Sequence, residues 1–250
     1  ETGSTASPCP TDNLYRIIGV FGNNVKLIKY DYATSALLGT DGDYQGSETP
    51  DATYYKGSLT TIDTYYWNNS TQTNTWSTSL LNKTNLNKNF ITNIGADWAA
   101  KIDTTTWKVG GNTWANIGTQ PAKTAYQNEI VNPVITNTTD NATEYSAKIG
   151  LMYVSDYGFA AVPSAWTRIL SYDSENGYNN AAVTSVNWMY MGLYEWTISR
   201  RADSSDFAFV VIGDGNVNIN VVYGHYGVRP SFNLESAITY VSVSYTHLRA

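Results

Sequence analysis

The chain has 250 residues, with 15 Lys and Arg against 21 Asp and Glu, a formal net charge of −6 and an isoelectric point near 4.8. That balance argues against a protein that grips nucleic acid through its phosphates. Charged residues make up 14% of the sequence and apolar ones 42%, including 20 Tyr, 8 Trp and 6 Phe, the composition of a β-rich globular domain of extracellular type rather than of a disordered tail.

In chain order, the first notable residue is the single Cys9, in Ser7-Pro8-Cys9-Pro10. It is either an unpaired surface thiol or half of a bridge to a partner upstream of residue 1. A nucleophilic role would need a nearby base, and the chain has two His, at 225 and 247. Leu14–Phe21 and Val25–Tyr30 are β-branched and aromatic runs separated by Gly22-Asn23-Asn24, which predicts a tight hairpin because Asn tolerates a positive φ. Asp31 to Thr75 is polar, Gly-rich and Tyr-rich without a period, and reads as long loops with short strands. Hydroxyl residues at 77–79 precede Leu80-Leu81, and Leu86, Phe90, Ile94 and Trp98 recur every four residues, so two short helices are predicted there.

Thr104–Val109 is a predicted strand ending at Gly110-Gly111, and Asn112 to Tyr145 reads as loop. Ile149–Val154 is an apolar strand feeding a helix that Ser155-Asp156 cap and Pro163 stops. Asn187–Thr197 is continuously apolar and aromatic and is read as a central strand. Phe207–Ile212, the turn Asp214-Gly215 and Val217–Val222 predict a second hairpin, and Gly227–Leu234 the closing strand. No apolar run approaches the roughly 18 residues needed to cross a bilayer. With neither a signal peptide nor an initiator Met in view, the chain reads as a fragment whose membrane anchor lies outside it.

The order of strand, short helix Val154–Ala161, the run Tyr194-Glu195-Trp196-Thr197, a hairpin and then Gly227-Val228-Arg229-Pro230 resembles the C-type lectin-like fold of the formylglycine-generating and sulfatase-modifying superfamily. Asn13–Val20, Ile149–Gly158 and the blocks from Trp to Pro are similar to an uncharacterised bacterial surface-protein family known from gut metagenomes, over nearly all of residues 9 to 235. The resemblance implies an α+β fold, a C-type lectin-like domain with a twisted, mainly antiparallel sheet, short flanking helices and long loops. Residues 1–12 are then a linker, 13–235 the domain and 236–250 a tail, of which 242–250 resembles translated library-adapter sequence. It also implies an anchored or pilin-like N-terminal region carrying the partner of Cys9.

The chain departs from these families where their chemistry lies. One Cys and one credible His supply neither the paired thiols of the oxidising enzymes nor a His cluster for iron, so no cofactor, no metal and no catalytic residue is expected. Trp67-Asn68-Asn69 and Gln120-Pro121-Ala122 lack the carboxylates of a calcium-dependent lectin site. Sequons such as the one at Asn141 read as chance in so Asn- and Thr-rich a chain. Glu195, inside an apolar run, needs a partner, and Arg229 in the closing strand is the obvious structural ion pair. His225 stands in a Tyr- and Gly-rich loop that is either ordinary surface or an adaptable binding face. In C-type lectin-like proteins the equivalent region carries the ligand, so the resemblance points to Asp206, Asn216, Asn218, Asn220, Tyr223, His225 and Tyr226 as the face. Side chains two apart on a strand point the same way, which groups the three Asn. The function expected is a ligand-binding, adhesin-like ectodomain at a bacterial cell surface, extracellular, recognising a protein or glycan. The alternatives are a structural pilus or surface-layer subunit and, less favoured, a glycan hydrolase using two carboxylates.

Overall fold

A computed structural model describes residues 14–134, 142–171, 177 and 181–235. Cys9, His247, Asn141, the linker 1–12 and the tail 236–250 lie outside the described residues. The first hairpin joins β1 (Tyr15–Phe21) to β2 (Asn24–Lys29), with Phe21 opposite Asn24. Its left-handed residue is Gly22, at φ +62°, rather than either Asn; glycine at the first loop position is what a tight hairpin turn of the II′ kind requires.

The stretch from 31 to 75 holds two strands, β3 (Tyr44–Glu48) and β4 (Ile62–Tyr66), between long loops. Two helical pieces follow, but the first, Leu81–Phe90, has π geometry and continues into Ile91–Asn93 before Ala96–Ala99. The buried carboxylate of Asp43 accepts from the Leu81 and Asn69 amides, which satisfies an orphan donor at the helix start.

β5 (Thr105–Lys108) is followed by β6 (Gly111–Asn112), and the segment read as loop after it is helical instead: Trp114–Thr119, Ala122–Tyr126 and Gln127–Val131. The Thr113 hydroxyl accepts from the Asn116 amide, a local N-cap, and Ala122 and Ala125 are buried, so packing overrides weak propensity here. β7 (Glu144–Ala147) and the short β8 (Ile149–Gly150) lead to the Val154–Phe159 helix, where Asp156 reaches back to the Tyr153 amide at 2.8 Å.

The predicted central strand over 187–197 is mostly wrong: β9 spans Glu195–Arg201, and 187–194 is a chain of turns that buries Asn187, Met189 and Met191 and leaves Tyr194 exposed. Asn187 causes this, because its side chain donates to the Tyr157 carbonyl and accepts from the Met189 amide, replacing ladder partners with local ones. The second hairpin, β10 (Phe207–Val211) and β11 (Val217–Val221), forms in register, and β12 (His225–Tyr226) and β13 (Ser231–Leu234) are the last strands of the described residues.

The protein is a mixed α/β structure with mostly antiparallel sheets and short helices. In place of one twisted sheet there are, among the described residues, four, ordered β1-β2-β13-β8, β11-β10-β9-β6, β12-β4-β3 and β5-β7. β6 joins β9 in parallel. β10 is buried on both faces: Ala208 and Val210 enter one apolar cluster with Trp67, Trp107 and Trp196, while Phe209 and Val211 enter another with Tyr157, Met152 and Met189. One strand feeding both clusters makes them two layers of a single body, as the two-residue period of a strand dictates. Trp67 donates to the Thr197 carbonyl and Trp196 to the Tyr65 carbonyl, so β4 and β9 are cross-linked by reciprocal indole bonds of 2.9 and 2.8 Å.

Buried ionisable groups in this frame include the Arg229–Glu195 pair and Glu129. Arg229 donates to Glu195 at 2.7 Å and to the Met189 carbonyl at 2.7 Å, with both side chains almost fully buried. Burial pushes the Glu195 carboxyl up, against the pull of the Arg229 charge. Glu129 is also buried; it accepts from the Ser199 hydroxyl and the Ser155 amide, and burial raises its pKa to about 7 against those bonds. Replacing Arg229 by Met is expected to lower stability by about 3–5 kcal/mol in denaturant titration, because it strands the Glu195 charge; a loss below about 1 kcal/mol would show that the pair does not hold the fold.

Glu129 gives a prediction of opposite habit. Its folded pKa lies above the unfolded one, so the folded state holds the proton longer and stability falls as pH rises from about 4.5 to about 7, then levels off. The Glu129→Gln variant should lose that decline, worth at most about 3 kcal/mol. Melting profiles of the two proteins across this range check it, and parallel profiles would refute the assignment.

Candidate functional site

β12 is two residues long and is held by its neighbours: His225 pairs with Tyr66 and Tyr226 with Tyr65 of β4. Immediately after it, Gly227 exchanges main-chain bonds with the 194–196 segment, donating to the Tyr194 carbonyl and accepting from the Trp196 amide. These contacts stack Tyr226 on Tyr194, with centroids 5.0 Å apart, and tilt it against Trp196 at 4.9 Å. Burial raises the Tyr226 phenol above its ordinary range, with the Tyr194 phenol adding to the shift, so it stays protonated. Its hydroxyl accepts from Asn220 Nδ2 at 2.5 Å.

A cleft of about 320 Å³ opens beside this stack, walled among others by Glu48, Asp51, Tyr194, His225 and Tyr226. His225 packs edge-on against Tyr66, and its Nδ1 lies 3.2 Å from Glu48 Oε1 without the alignment of a hydrogen bond. A second hollow of about 450 Å³ shares Asp51, Leu193 and Tyr194 and adds Tyr54 and Asp214. It is shaped by Gly192, at φ +82°, where a Cβ would lie 1.8 Å from the Tyr54 carbonyl oxygen. Only glycine permits that approach, which brings Tyr54, 52% exposed, beside Tyr194, 44% exposed. The two hollows carry three carboxylates and, among the described residues, no Lys or Arg in their walls.

Of the seven residues expected on one face, the structure brings Asn220, His225 and Tyr226 together, with Tyr223 exposed at the adjoining turn. The structure does not bring Asn216 to this cluster: it is 2% exposed, and its amide and side chain both donate to Asp214, so it shapes the β10–β11 turn. That turn is at the other end of the hairpin from Tyr223, roughly 20 Å along the strand. Asn218 is half-buried and accepts from the next amide, and Asp206 accepts from Ser204 Oγ beyond the β10 start; neither lines the cleft. Sequence reading missed Glu48, Asp51 and Tyr54, whose one signal was the Pro50-Asp51 turn in a stretch without period.

Among the described residues, no group of three His, Cys, Asp or Glu side chains converges to hold a metal ion, and no helix is long and apolar enough to cross a membrane. The chain matches no family model, no curated protein and no solved structure.

Changing Asn216 to Ala should lower stability by about 1 kcal/mol through the lost side-chain bond to Asp214, the backbone amide keeping its own, and leave ligand binding at the cleft untouched. Denaturant titration beside a binding isotherm tests this; lost binding at unchanged stability would return Asn216 to the face.

Proposed function

We propose that residues 13 to 235 are a C-type lectin-like, ligand-binding domain of a bacterial cell-surface protein, adhesin-like in role, which holds an extracellular target without turning it over. The fold assignment is supported by the order of the Val154–Phe159 helix, β9, the β10–β11 hairpin and a closing strand, β13, that pairs with β2 near the start of the domain. The observation that carries the function is the pair of adjoining hollows walled by Tyr54, Tyr194 and Tyr226 and edged with Glu48, Asp51 and Asp214. Exposed Tyr is a rigid, amphipathic contact residue with little rotamer entropy to lose on binding.

Between the two target classes, this chemistry favours protein. A Lys or Arg side chain laid over Tyr194 gains a cation–π contact and finds a carboxylate within reach, while the acidic net charge steers basic surfaces toward the cleft. The decisive experiment screens host-cell ectodomains and a glycan array with the wild type and with the double variant Glu48→Gln, Asp51→Asn. Protein ligands rich in exposed Lys or Arg are expected to bind, with affinity falling as salt rises and at least tenfold weaker in the variant. Glycan binding alone would move the target class. Silence in both screens together with self-assembly would favour the structural-subunit reading instead.

A further inference from the structure

We propose that a groove over the Lys26–Asp156 ion pair is a second binding site, for a neutral pyranose oligosaccharide. The groove shares no wall residue with the Tyr194–His225 cleft. It consists of two chambers, of about 200 and 310 Å³, which have Phe21, Tyr126, Ser155 and Asp156 in common and so form one channel. Each is of the order of a single sugar ring, and together they reach the size range of a ligand site.

The charges decide the class of ligand. Lys26 Nζ lies 2.5 Å from Asp156 Oδ2, with both side chains at most 10% exposed, and Lys108 at the rim is paired with Glu144. Among the described residues, the cations in the walls, Lys26 and Lys108, are therefore each already paired with a protein carboxylate. An anion entering here would be desolvated without a counter-charge to meet, and a cation would compete with Lys26 for Asp156.

What remains is directional polarity between aromatic surfaces. Asp156 Oδ2 receives Lys26 and the Tyr153 amide, while Oδ1 accepts from no group among the described residues. The Lys26 ammonium lies 4.4 Å from the Tyr153 ring centroid, 5.4 Å from that of Trp107 and 5.9 Å from that of Phe21, which fixes the head of an otherwise flexible side chain. A fixed ammonium beside a free carboxylate oxygen is a donor and an acceptor side by side, the pattern that two vicinal hydroxyls satisfy. Thr105 Oγ1 accepts from Asn233, leaving its own proton to donate. Phe21, 50% exposed where the chambers meet, and Trp188 in the second chamber offer π-faces to the C–H face of a pyranose.

The test is calorimetric titration of the whole chain with neutral di- and trisaccharides of glucose, galactose and mannose, and with sialylated and sulfated counterparts. At least one neutral series is expected to bind, with its charged counterpart at least tenfold weaker. Phe21→Ala should weaken neutral binding at least tenfold while its melting temperature stays near that of the wild type, since the ring is half-exposed on a strand at the edge of its sheet. The double variant Glu48→Gln, Asp51→Asn should leave sugar binding unchanged, which separates failure of this site from failure of the Tyr194 cleft. Absence of binding by every neutral sugar at millimolar concentration, equal binding of charged forms, or undiminished binding by the Phe21 variant would each overturn the proposal.

Discussion

Arg229 is the point on which the arrangement of the second half of the chain depends. Its guanidinium reaches Glu195 at the start of β9, the Met189 carbonyl in the buried turns before it, and the Tyr30 carbonyl at 3.4 Å just past β2. A guanidinium is charged at any pH the protein meets, so once buried it must be given these partners in a fixed geometry. The residues on either side inherit the order: Tyr194 precedes Glu195, Tyr226 lies three residues before Arg229, and Gly227 between them presses on the Tyr32 ring so closely that a Cβ would stand 2.6 Å from it. The solvent-facing Tyr194–Tyr226 stack is thus the outer surface of a buried ionic clamp, and its rigidity comes from beneath.

The abundance of Asn has a similar internal explanation. Long irregular segments leave main-chain groups without ladder partners, and these must be satisfied if the segments are buried. Asn74 reaches the carbonyls of Arg201, Ser204 and Phe207, Asn85 those of Leu38 and Asp41, and Asn87 clamps the Ile149 main chain from both its N–H and its carbonyl. A side-chain amide is the short group that can donate and accept at once, so it stands in for a missing strand. An Asn-rich chain can in this way bury loops that an Asn-poor one would have to expose.

The same fact marks the limit of what was legible in the sequence. The hairpins at Gly22 and Asp214-Gly215, the helix start at Asp156 and the partnership of Glu195 with Arg229 could be read because each rests on a local turn rule or on one unavoidable need for charge compensation. The run 187–194 misled because apolarity reports burial and not dihedral angles, and Asn187 turned the chain by contacts invisible to periodicity. Asn216 was grouped with Asn218 and Asn220 by strand alternation, which assigns a side of the sheet and says nothing of depth. The acidic wall of the cleft comes from residues 48 to 51, about 175 positions from His225, and no pattern within either segment foretells their meeting.

Two grooves of different electrostatic character on one domain have a consequence for how they would work together. On the proposed reading, the Tyr194 cleft, whose carboxylates have no Lys or Arg beside them among the described residues, would attract a basic partner at a distance and lose much of that attraction as ionic strength shortens the Debye length below about 8 Å. In the Lys26–Asp156 groove the charges cancel over 2.5 Å, so little field reaches beyond the walls, and the neutral ligand proposed for it would be held by contact alone. Such a pair would divide recognition into a salt-sensitive step that speeds encounter and a salt-insensitive step that slows departure. A glycosylated protein with a basic surface could engage both, and its affinity would then exceed that for either part by the effective concentration linking them.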